Sequence, residues 1–368
     1  MRITDIRCYV VADEHPAVPF RWRKGLPGSG DGTPLYQTPK AAILRMDTDE
    51  GITGALKLGD GEAVASLVRR RLKPLIGENP TLTERLWTRI WEIDRIEEMH
   101  MAHLGLIDLL AWDIKSRKAA LPLYQMVGGN DPKVPVYAST VTWDTMDEYE
   151  RHIKECLDEG FTAIKLHAWG DEKEDARLCR NLRTWTGDDA TLMFDGSAGW
   201  DLDTSLRFGR VLEEAGFAWY EEPMREFNLT AYRKLCDGLD VPVLAAETSD
   251  GVHWNAATWI DMGALDMMRT SSFYKGGITG ALKIAHLAEA HAMKAQVHGM
   301  GVPNAHLCAA IPNNDYYEQL VYSTDHIRSL KSRAELPVVD GHIMVPDVPG
   351  LGLDIDWAAL EKTALAII

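Results

Sequence analysis

Over the first sixty residues, hydrophobic and polar positions alternate in short runs. Residues two apart share one face of a strand, so "ITDIRCYVVA" and "KAAILRMDTDEGITGALKLG" read as strands, the second broken by the turn signal "TDEG". A small antiparallel sheet is expected there. Between the two runs lies "FRWRKGLPGSGDGTPLYQTP", rich in Gly and Pro and carrying Arg21, Arg23 and Lys24. A loop of that length in a compact domain is either functional or disordered. From about Glu62 to Leu123 the apolar spacing changes to three and four, in "AVASLVRRRLKPLI", "LTERLWTRIWEI" and "AHLGLIDLLAWDIKSRKA". That period predicts helices, which would cover the sheet.

After "GGNDPKVPVYAS" short apolar runs alternate with amphipathic stretches. Strands are expected at "VPVYAS", "AIKLHA", "TLMFDG", "AWYEEP", "VPVLAAE", "LDMMRTS" and "AQVHGM". Regular strand and helix alternation predicts a parallel sheet, and seven or eight repeats predict a closed (β/α) barrel. The chain therefore reads as an α/β protein with an α+β domain over residues 1–125 and a barrel over 126–325. A final segment, 326–368, resumes strands and turns and is expected to return to the first domain.

Composition narrows the partners. The 368 residues are 46% hydrophobic and 26% charged, ordinary for a globular protein. A formal net charge of −16 argues against nucleic acid or an anionic membrane, which carry the same sign. The five cysteines are odd in number and widely spaced, which fits reduced thiols and a cytoplasmic location. The start "MRITDIRCYVV" lacks the apolar core of a signal peptide, and no apolar run reaches membrane-spanning length.

The chemistry gathers at strand ends, where such barrels place their active sites. "LMFDG" ends in Asp195, "AWYEEP" in Glu221 and Glu222, and "VLAAE" in Glu247; Asp195, Glu221 and Glu247 stand 26 residues apart in succession. Each acid alone reads as a helix cap or a solvated loop residue. Three in one phase of consecutive repeats would repel one another strongly unless a cation neutralised them, and an all-oxygen donor set suits Mg²⁺. Lys165 and His167 in "AIKLHA" share a face one repeat earlier, and His298 ends the seventh strand in the glycine-rich "HGMG".

With these motifs in place, the chain resembles the enolase superfamily, and within it the mandelate racemase subgroup, over essentially its whole length. "ILRMDTDEGITG" is similar to that family's capping-domain hairpin, "GLIDLLAWDIKSRKAALPLYQMVGG" to its domain junction and "DVPGLGLDID" to its closing segment. The resemblance implies a modified TIM (β/α)-barrel with an N-terminal α+β capping domain. It implies that Asp195, Glu221 and Glu247 bind Mg²⁺, that the metal holds a substrate carboxylate, and that a base removes the proton α to it. Glu318 in "NNDYYEQL" falls where the family places an eighth-strand acid that hydrogen-bonds the enolate oxygen. An oligomer is implied as well, a dimer or an octamer.

Two positions depart from the subgroup pattern. His167 stands where relatives mostly carry a second Lys, so His167 is expected to take the proton while Lys165 tunes it. Ser271 stands where relatives carry an Asp that orients the seventh-strand His, so His298 is expected to be a weaker base. Arg269, two residues earlier on the same face, is expected to point inward toward Glu222 or Glu247, and with Ser271 to line the substrate site. One strong base and one acid suffice for dehydration of an acid sugar to a 2-keto-3-deoxy acid, and Arg21, Arg23 and Lys24 suit a polyhydroxylated small-molecule carboxylate. The alternatives are racemization or epimerization of a 2-hydroxy acid, and a silent homologue that binds metal and ligand.

Overall fold

The computed structural model describes residues 1–12, 40–59 and 61–368. Arg21, Arg23 and Lys24 lie outside the described residues. An antiparallel sheet forms from β1 (Ile3–Ala12), β2 (Lys40–Thr48) and β3 (Thr53–Leu58). Its alternation is what the sequence dictates: Ile6, Cys8 and Val10 of β1 stand opposite Met46, Leu44 and Ala42 of β2, and all six are buried. The helices Gly61–Leu67 and Leu106–Ala119 pack against this sheet, and Thr83–Glu97 packs on Leu106–Ala119.

Eight parallel strands follow: β4 (Lys133–Thr140), β5 (Ala163–His167), β6 (Thr191–Asp195), β7 (Trp219–Glu221), β8 (Val243–Ala245), β9 (Met267–Thr270), β10 (Ala295–Val297) and β11 (Tyr317–Val321). β4 to β10 pair in chain order, and β11 returns to pair with β4. β10 and β11 stand at the two ends of this paired order, and their seam is bridged from the segment that precedes β11. Asn314 Oδ1 accepts the Val297 amide (2.9 Å), the Asn313 carbonyl accepts that of Ala295 (2.9 Å), and Gln296 Nε2 donates to Asp315 (2.6 Å). Short strands suffice because both faces are covered, and helices begin on side-chain caps at Thr145, Asp171, Asp201 and Asn228.

The end of the chain joins both parts. β12 (His342–Met344) pairs antiparallel with β4, and β13 (Ala366–Ile367) pairs antiparallel with β1. Asp113 clips the cap to the closing segment: its carboxylate accepts the amides of Ala55 (2.9 Å) and Leu351 (2.7 Å). A second clip ties cap to barrel, where Asp108 accepts the amide (2.9 Å) and hydroxyl (2.6 Å) of Thr279. Gly277, at φ +85°, lies against this carboxylate so closely that an added Cβ would sit 2.3 Å from Asp108 Oδ2. Among the described residues, no helix is long and apolar enough to cross a membrane.

Candidate active site

Strand register brings the acids together. His167, Asp195 and Glu221 are successive neighbours across β5, β6 and β7, so their side chains emerge side by side at the C-terminal mouth. Beneath them Tyr137, Ala163, Met193, Trp219 and Leu244 form a separate apolar cluster that fills the barrel. Water is thus excluded from below, and the charges above interact through a medium of low polarity.

Lys165 is fully buried and reaches three carboxylates: Asp195 Oδ2 (3.2 Å), Glu221 Oε2 (3.1 Å) and Glu318 Oε1 (2.9 Å). Burial alone would lower its pKa, but Glu221 and Glu318 outweigh that and hold the ammonium charged well past its ordinary range. His167 Nε2 lies 3.0 Å from Asp195 Oδ2. Its Nδ1 lies 2.6 Å from the Thr140 carbonyl, which has only an acceptor to offer, so Nδ1 carries the proton and Nε2 is the atom that exchanges one. Thr140 Oγ1 also takes the His167 amide (3.0 Å), which fixes the strand end.

Opposite stand Glu247, His298 and Glu318. His298 Nδ1 is 3.0 Å from Glu247 Oε2 and 3.4 Å from Glu318 Oε2. Burial would lower this histidine, but the two carboxylates raise it above its ordinary value. With Ser at 271, the acids nearest His298 come from β11 and from the loop after β8. Glu318 is itself held well below the usual carboxylate range, because Lys165 and His298 outweigh its burial, and its Oε2 accepts the Gly299 amide (2.7 Å).

Arg269 is fully buried and pairs with Glu221 rather than Glu222 or Glu247: Nε donates to Glu221 Oε1 (2.7 Å), while other donors reach the Val297 carbonyl and the Tyr137 hydroxyl (3.1 Å each). Alternation explains the partner, since Glu221 and Arg269 both point into the barrel from within strands, whereas Glu222 lies just past β7 at φ +40°. Ser271 is buried too, its hydroxyl accepting the amides of Phe273 (3.2 Å) and Tyr274 (3.4 Å). Both residues, expected as substrate contacts, are engaged inside the protein.

Two features escape the sequence reading. Glu222 is buried, and burial together with Glu247 pushes its carboxyl well up; its Oε1 accepts the Glu247 amide (2.9 Å). Lys275 is buried and donates to the carbonyls of Ala246 (2.7 Å) and Ser249 (2.6 Å), and burial brings its pKa down to about 8. Its partners lie on another repeat.

Asp195, Glu221 and Glu247 bring carboxylate oxygens to one mouth, and Glu247 and Asp195 are held in the charged form by their cationic neighbours. Donor atoms of Glu221, Glu247 and His298 already lie within 4.8 Å of one another. Asp195 faces Lys165 and His167, and its Oδ1 accepts the Ser197 amide (2.8 Å). The carboxylate oxygens of Glu221 and Glu247 suit a hard divalent ion, while Asp195 stands outside the gathered group of donor atoms.

A capped parallel barrel with carboxylates, a lysine and two histidines at the C-terminal mouth is an enolase-like architecture. Residues 148–359 match the enolase C-terminal domain-like model, and residues 24–128 match the N-terminal domain model of mandelate racemase and muconate lactonizing enzyme. The chain belongs to the mandelate racemase/muconate lactonizing enzyme family of the enolase superfamily. It is similar to a D-glucarate dehydratase from Agrobacterium tumefaciens, crystallised with magnesium: 32% identity, TM-score 0.87, both chains covered in full. Arabinonate dehydratase of Saccharolobus solfataricus is 28% identical over 86% of this chain and 88% of its own. D-galactarolactone cycloisomerase of Agrobacterium fabrum is 28% identical over 87% and 90%.

Proposed function

We propose that this protein is a Mg²⁺-dependent lyase that dehydrates an acid sugar to a 2-keto-3-deoxy acid. The observation that carries the reading is the buried line of His167, Asp195 and Glu221 across three neighbouring strands, with Lys165 held cationic beside it. Relatives named as acid sugar dehydratases support it. Asp195, Glu221 and Glu247 would hold the metal, which supplies positive charge for a substrate carboxylate and for the negative charge that develops there as the α-proton leaves.

His167 Nε2 takes the proton from the α-carbon, and the electron pair moves toward the carboxylate to give an enediolate. Lys165, fixed as an ammonium by its three carboxylates, stabilises that charge. Return of the electron pair breaks the β C–O bond, and the hydroxyl leaves as water with a proton from His298, whose carboxylate neighbours keep it a competent donor. The resulting enol becomes the 2-keto acid. Glu318 holds Lys165 and stands beside His298.

The test is a screen of mono- and diacid sugars with Mg²⁺, detecting the 2-keto acid as its semicarbazone, with every hit repeated in His167→Asn. Turnover that falls by about 10²–10⁴-fold in the variant supports the reading; turnover unchanged by His167→Asn removes the base assignment. A second reading is favoured by Glu247 and Glu318 beside His298, which restore a competent group on the opposite wall: racemization or epimerization of a 2-hydroxy acid. α-Proton exchange in deuterium oxide without 2-keto acid would select it.

A further inference from the structure

Ser271 leaves open how His298 is oriented, since a serine hydroxyl occupied with backbone amides does not reach the imidazole. The turn that Ser271 begins offers the answer. Its hydroxyl takes the Phe273 and Tyr274 amides, and its carbonyl takes the Lys275 amide (3.1 Å). The turn so closed lays the Tyr274 ring against the His298 imidazole, with centroids 4.9 Å apart and planes inclined by 24°. Asn304 ties the same turn to the backbone of His298. Its Oδ1 accepts the Ser272 amide (2.9 Å) and hydroxyl (2.7 Å), and its Nδ2 donates to the His298 carbonyl (2.7 Å).

We propose that Tyr274 is the positioning residue for His298, an aromatic ring laid on the face of the imidazole where relatives of the subgroup use a carboxylate from position 271. A flat ring at stacking distance limits rotation of the imidazole about its long axis. Nδ1 stands 3.0 Å from Glu247 and 3.4 Å from Glu318 but makes an aligned hydrogen bond to neither, so the carboxylates alone do not fix the ring, and Nε2 is left as the nitrogen for a ligand. Lys275, next along the turn, braces the loop that carries Glu247 through the Ala246 and Ser249 carbonyls, so one turn sets both partners of the contact. Tyr274 itself is 37% exposed at the wall of the mouth, so its substitution opens no core cavity.

The inference rests on the proposed use of His298 in the reaction, and its test therefore carries a readout that needs no turnover. The rate of carbethoxylation of His298 by diethyl pyrocarbonate, mapped by peptide mass spectrometry, reports access to the ring. Tyr274→Leu is expected to speed that labelling by about 2- to 10-fold, and Tyr274→Phe, which keeps the ring, to restore the wild-type rate. On an active substrate, Tyr274→Leu should lower kcat by a similar factor with KM unchanged. Equal labelling of His298 in the wild type and Tyr274→Leu would overturn the proposal, and so would a change confined to KM, which would mark Tyr274 as a substrate contact. A wild type that turns over no acid sugar would sink the dehydratase reading instead, with labelling still deciding this one.

Discussion

At the scale of single residues the mouth is a balance of buried charges, and each member is predictable through its partner. Arg269 shares Glu221 with Lys165, so Arg269→Met should remove one of that carboxylate's two buried cations and lower stability in denaturant unfolding, by less than the ~3–5 kcal/mol of a charge left with no partner. Metal ligation separates two candidates: Mn²⁺ affinity by calorimetry should collapse in Asp195→Asn and persist in His298→Asn. The reverse result would assign the ion to the Glu221, Glu247 and His298 group. Much of this mouth was legible in the sequence because Lys165, His167, Asp195 and Glu221 need only a strand's alternation and a repeat length to be brought together. Lys275 and the carboxylate neighbours of His298 were not, since their partners come from other repeats through loops whose course local pattern does not encode.

At the scale of elements, legibility followed the same rule. Strands and helices with a clear period were readable as types, whereas the seam between β10 and β11 depends on Asn313, Asn314 and Asp315, residues that read only as a turn. The junction of cap helix and barrel is equally non-local. It turns on Gly277, where a side chain would collide with Asp108 at a backbone conformation that disfavours one. Gly277→Ala should therefore destabilise the protein by about 1–3 kcal/mol or more, read as a lower unfolding midpoint. A variant as stable as the wild type would show that the cap helix can shift without loss.

At the scale of the whole molecule, stability should depend on pH through the clip between cap and barrel. Burial raises the Asp108 carboxyl from 3.8 to about 7, with the hydrogen bonds from Thr279 opposing it. The folded protein then binds more protons than the unfolded chain between those values, so this group's contribution is fully present below about pH 4 and is lost as pH rises toward 7. Asp175, raised by burial to about 7, acts with the same sign. Denaturation at pH 5 and pH 8 should show a smaller loss in Asp108→Asn than in the wild type; equal losses would locate the dependence elsewhere. Bound metal should add to stability by mass action, about 2.7 kcal/mol at a hundred times its Kd, an increment that Asp195→Asn should abolish. The seam has a further consequence. His298 follows β10 and Glu318 lies on β11, so the two flank a split ring, spanned by the Asn314 side chain, the Gln296–Asp315 pair and a single backbone hydrogen bond rather than by a strand ladder. Asn314→Gln, one methylene longer, would act as an adjusting screw, widening the span between the two walls of the mouth while every other strand keeps its register.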